Sequence, residues 1–176
     1  MSNSKIPIIK SDATSAELIK LAETGNQDIC KAIAQHPNTS PDLLKKLFCN
    51  FPVQVLTNPI LDLLLLENPN LFEELCDNCC VFCKDGLPSF FIEWALNQKK
   101  TSIRVSLAAS SKTPKHILEK LADDENVVVI DTLYYNYLNK NFSSRTRNKI
   151  EKRRLKLKNT AKQEDYNYHC WCSIPF

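Results

Sequence analysis

Four cysteines crowd into eight residues, Cys76-Asp77-Asn78-Cys79-Cys80-Val81-Phe82-Cys83. Two Cys-x-x-Cys pairs overlap there, and thiolates so spaced can hold zinc or an iron–sulfur cluster. Near the C-terminus, His169, Cys170 and Cys172 could supply further ligands. Cys76, Cys79, Cys80 and Cys83 also fall on one face of a helix and continue the apolar stripe of Phe72 and Leu75. A free cysteine at such a position acts as a small hydrophobe. Geometry favours this second reading. On an unbroken helix Cys76 and Cys83 would stand about 10 Å apart, whereas each sulfur on a zinc lies about 2.3 Å from it. A shared metal would require a broken helix. The expectation is therefore a buried face without a cofactor, with zinc or iron–sulfur as the alternative.

A second cluster is cationic. Residues 139–162 hold ten Lys/Arg and a single acid, Glu151, which leaves 13 basic against 19 acidic residues elsewhere. Arg145, Arg147, Lys149, Lys152, Arg153, Arg154, Lys156 and Lys158 could neutralise nucleic-acid phosphates or an acidic partner. The competing reading is a solvated helix that aids solubility. No aromatic residue interrupts 145–158, so base stacking by this run is not supported. His36 and His116 have no nucleophile or carboxylate suggested beside them, and both are expected to be structural. Asp123-Asp124-Glu125 reads as a solvated turn. Two glycines in the whole chain exclude phosphate-cradling and dinucleotide loops, which need several close together. No acid/base or nucleophile constellation is evident, so an ordinary enzyme is not expected.

The elements that position these residues recur. Ile29 to Leu47 and Ile103 to Leu121 share one layout: an apolar helix face, a polar turn, then a second helix opened by Ser40-Pro41 or Thr113-Pro114. Pro suits the first helical position because its missing N–H is not needed there. Asp12-Ala13-Thr14-Ser15 offers caps for an earlier helix that Gly25-Asn26 ends. Anchoring on the last leucine of each second helix gives steps of 26 residues from Leu21 to Leu47 and 28 from there to Leu75. A weaker copy ends at Ala95, 20 residues on, and Leu121 lies 26 beyond it. Units of this size each bury their apolar face against neighbours.

The pattern resembles the variant leucine-rich repeat: Ile103-Arg104 and Leu107-Ala108, then Thr113-Pro114, then Leu118 and Leu121-Ala122. Residues 29–48 match well through Pro37-Asn38-Thr39, residues 68–75 in part, and residues 12–22 only in the second half. The resemblance implies an all-α fold, a right-handed α-solenoid of short α and 3-10 helices, HEAT-like in shape. Some proteins of this kind join their repeats to a cysteine-rich iron–sulfur segment; here the cysteines lie inside the array. The expected organisation is a polar lead-in over 1–11, about five units over 12–138, and a basic helix with an aromatic, Cys-bearing tail over 139–176. Val53 to Leu66 reads as an insert, and the cysteine segment as a local irregularity. Val127-Val128-Val129-Ile130 could form a strand, but repeat logic makes it the next unit's first helix. Ser143-Ser144 can cap a helix from about Arg145 to Asn159. The aromatic stretch 166–176 is expected to pack back on the body or to dock on a partner.

No secretory signal or membrane-spanning run is visible, and eight cysteines then suit a reducing compartment. The expectation is a cytoplasmic, non-catalytic interaction scaffold. Its partner would be a protein, with nucleic acid through residues 145–162 as the alternative and no membrane.

Overall fold

The computed structural model describes residues 9–77, 80–137 and 143–160. Among these, all regular structure is helical: eleven α-helices and one 3-10 helix, with no strand. No helix of the described residues is long and apolar enough to cross a membrane. The chain divides into two compact units, Met1–Val81 with Gly86–Pro88, and Phe82–Asp85 with Ser89–Phe176.

The first unit holds α1 (Ser15–Ala22), α2 (Gln27–Ala34), α3 (Pro41–Phe48), α4 (Pro52–Leu56), α5 (Leu61–Glu67) and α6 (Leu71–Cys76). The first two starts have a local cause. Thr14 caps α1 in a reciprocal box, its hydroxyl meeting the Glu17 N–H while the Glu17 carboxylate accepts the Thr14 N–H at 2.8 Å. That bond and the Thr14 hydroxyl hold the Glu17 carboxyl below its usual value. Gly25, at φ 68°, makes the left-handed turn after α1. Asn26 then caps α2 through the N–H groups of Asp28 and Ile29. Helices of five to eight residues are too short to stand alone in water. Their stability comes from apolar faces: Ile29, Cys30, Ile33 and Ala34 on α2, and Leu43, Leu44, Leu47 and Phe48 on α3, are all buried. The principal packed pairs are α1 with α2, α2 with α3, α3 with α4 and α2 with α4. From α1 to α4, each helix thus rests on the next one or two in sequence.

The second unit holds α7 (Ser89–Leu96), α8 (Thr101–Ala109), α9 (Lys115–Leu121), α10 (Val127–Tyr137) and α11 (Ser144–Thr160). Here too the main pairs join a helix to the next or next but one: α7 to α8 and α9, α8 to α9 and α10, and α10 to α9 and α11. Phe91 stacks on Phe82 at 5.6 Å and on Trp94 at 5.2 Å between ring centres. Ile103, Leu107 and Ala108 of α8 and Ile117, Leu118, Leu121 and Ala122 at α9 are all buried. Val127 to Ile130 are helical despite a β-branched run, because Val127, Val129, Ile130 and Leu133 are wanted inside. Pro114 stands one residue before α9, as its N-cap.

Two stretches gain detail. Val53 to Leu66, read as an insert, is helical: it forms most of α4, a turn at Asn58-Pro59, and most of α5. The helix ending at Leu75 does not run on through the cysteines. It stops at Cys76, where Asp77 turns to extended backbone at ψ 123°, and a separate 3-10 helix covers Val81–Cys83.

Candidate functional site

Five polar residues among those described are buried as whole residues: His36, Thr39, Asn58, Ser110 and Thr113. All five lie in inter-helix turns, and they do two jobs.

Thr39 and Thr113 close turns. The Thr39 Oγ1 donates to the Ile33 carbonyl at 2.6 Å, and the Thr113 Oγ1 donates to the Leu107 carbonyl at 2.6 Å. Both reach back six residues to a carbonyl in the last turn of the preceding helix, where no intrahelical donor remains.

His36, Asn58 and Ser110 are rungs. Each accepts the N–H two residues on: Asn38 N to His36 Nδ1 at 3.1 Å, Ile60 N to Asn58 Oδ1 at 2.9 Å, and Lys112 N to Ser110 Oγ at 3.0 Å. Each then donates to a backbone carbonyl further back. His36 Nε2 reaches Lys10 across 26 residues, and the Asn58 amide reaches Ala34 and His36 across 24 and 22. The Ser110 hydroxyl reaches Phe82 across 28. A carbonyl can only accept, so His36 carries its proton on Nε2 and is neutral. The Asn38 amide adds a bond to the Ala13 carbonyl at 2.9 Å. No buried side-chain nitrogen or oxygen of the described residues lacks a partner.

Arg104, the arginine of the repeat pattern, also works in the architecture. It forks onto Asp124 at 2.7 and 3.3 Å and donates to the carbonyls of Gln98 and Lys99. The Asp124 side chain is 7% exposed. The turn at Asp123-Asp124-Glu125 is therefore not simply solvated: its second carboxylate is buried because a guanidinium meets it.

Among the described residues, Cys76, Cys80 and Cys83 do not form the buried face that their spacing suggests. Cys76 and Cys83 are half-buried and Cys80 is exposed, while Val81 and Phe82 between them are buried. The break after Cys76 removes the common helical face. Cys79, His169, Cys170 and Cys172 lie outside the described residues, as does the aromatic stretch 166–176. Among the described residues no three His, Cys, Asp or Glu side chains gather as a metal site. Cys30 is buried on α2 and Cys49 is exposed after α3. His116 is exposed on α9.

The basic helix is held in place. Ser143 caps it through the Thr146 N–H at 3.2 Å, and Ile150 is 3% exposed. Lys149 pairs with Asp123 at 2.6 Å, and Lys158 with Asp131 at 2.9 Å. Arg153 donates to the carbonyls of Asp124 and Asp123, both at 3.2 Å. Arg154 binds Asp131, donates to the Tyr135 hydroxyl at 2.9 Å and lies over the Tyr134 ring at 4.1 Å. Lys149, Arg153, Arg154 and Lys158, all expected contact residues, thus meet groups of their own unit. Arg145, Arg147, Lys152 and Lys156 are exposed. The sequence reading missed these counter-charges; Asp131, a lone acid within an apolar helix, was the signal for one of them.

No family model, curated protein or solved structure matches this chain.

Proposed function

We propose that this chain is a non-catalytic interaction scaffold, an α-solenoid of variant leucine-rich type with a protein as its main partner. The supporting observation is the recurring turn: a buried His, Asn or Ser ties it to a carbonyl 22 to 28 residues earlier, and in two of the three turns a buried threonine closes it. That interval matches the leucine spacing, as a stack of helical repeats requires. The buried polar groups are spent on architecture, so the outward helix faces are where a partner can be met. Leu63 and Leu66 of α5, 54% and 81% exposed, offer apolar contact in the first unit.

The test compares the tagged chain with a Leu63→Lys, Leu66→Lys variant of unchanged helicity and melting temperature, both recovered from the cell that makes the protein. A protein held stoichiometrically by the first and lost from the second is expected. Equal recovery by both, or no protein retained by either, would count against the proposal.

A further inference from the structure

The cations of α11 sort into two sets. At about 100° per residue, Ile150, Arg153, Arg154 and Leu157 share the inner side, and all four are buried or half-buried. Arg145, Lys149, Lys152 and Lys156 fall at i, i+4, i+7 and i+11, within an arc of about 60° on the outer side. All four are exposed. Arg145, Lys152 and Lys156 have no acidic partner among the described residues, and the Lys149–Asp123 pair is itself exposed on both sides. A pair of that kind holds its lysine weakly and can yield it to a stronger anion. Glu151 and Lys158 sit on the far flank, as does Arg147.

We infer that this outer row binds the sugar–phosphate backbone of a duplex nucleic acid without reading its bases. The row is straight and about 16 Å long, and a duplex presents one negative charge per about 1.7 Å of its axis. Buried Ile150 and the bonds of Arg153 and Arg154 fix the helix before any ligand arrives, so little ordering is left to be done on binding. The row lacks the apolar centre that a protein interface needs: Leu155 stands at its edge, among Asn148 and Asn159. It also lacks an aromatic ring, which a single strand would use for stacking. These residues differ from those proposed to meet a protein, and the two proposals fail independently.

The test is fluorescence anisotropy of the full chain with a labelled 20-base-pair DNA duplex and its RNA counterpart, from 50 to 200 mM KCl. With four phosphate contacts, affinity should fall about 150-fold over that range, from a slope of about −0.9 per contact. Lys152→Gln with Lys156→Gln should reduce the fall to about 12-fold, while Lys158→Gln on the far flank should leave it unchanged. The DNA and RNA arms tell which duplex is preferred. The inference is overturned if neither duplex binds at 50 mM, if the double variant keeps the wild-type salt dependence, or if polyglutamate displaces the duplex at lower charge concentration than unlabelled duplex does.

Discussion

Two Asn-Pro turns lie ten residues apart in the first unit, at Asn58-Pro59 and Asn68-Pro69. Locally they are the same: each asparagine oxygen accepts the N–H two residues on, at 2.9 and 3.1 Å. Their amides have different destinations. Asn58 is 4% exposed and donates to two buried carbonyls at 2.9 and 3.0 Å. Asn68 donates at the surface to Glu74, which in turn takes the Lys45 ammonium at 2.6 Å. The dipeptide specifies a turn. What the turn contributes is decided by where its second polar atom ends up.

The largest expected difference tests this directly. Asn58→Ala should lose about 2–3 kcal/mol, since it strands the Ala34 carbonyl and the Ile60 N–H and leaves the His36 carbonyl with the Thr39 N–H alone. Asn68→Ala should stay within about 0.5 kcal/mol of wild type. Urea unfolding of both variants measures the gap, and equal losses would abolish the distinction. Next come the turn-closing threonines. Thr39→Val and Thr113→Val keep the shape and remove one hydrogen bond each, the Ile33 carbonyl keeping the His36 N–H at 2.9 Å, so each should lose about 1 kcal/mol. Closely similar losses at these two sites would show that both turns carry the same load. The His36 rung refines the point further. His36→Asn, which places there the side chain that already serves at Asn58, should cost less than about 1 kcal/mol, whereas His36→Leu should cost about 2 kcal/mol.

The smallest effect belongs to the exposed turn. The Lys45 hydrogen bond, and then that of Asn68, hold the Glu74 carboxyl below its usual value. A carboxyl depressed by folding adds stability above its unfolded value and loses it as pH falls through the folded one. Lys45→Met should therefore flatten the acid limb of a stability–pH curve slightly, below the usual carboxylate range. Asn58→Ala should leave the shape of that limb unchanged, although it lowers the whole curve.

Much of the helical organisation was legible. The cap at Thr14, the helix stop at Gly25 and the leucines of α3 and α9 are local signals, and local signals survive folding; that Asn26 also caps the next helix was not read. Asn58-Pro59 was as legible as Asn68-Pro69, yet Val53 to Leu66 reads as an insert because its five-residue α4 is too short to show a period. The cysteine face failed for a related reason: spacing alone assumes an unbroken helix, and the backbone turns away at Asp77. The ion pairs under α11 were hidden because their acids come from α10 and the turn before it, more than twenty residues away. Charge counting sees a surplus, not which cations face inward.

The rungs also bear on how such a chain tolerates change. Each donates to a main-chain oxygen, and every amino acid carries one. The bond itself therefore makes no demand on the side chain at the receiving end, and the donor need only present a hydrogen at the right depth, which imidazole, carboxamide and hydroxyl all do. A fold fastened in this way can rewrite most of its letters while keeping its joints.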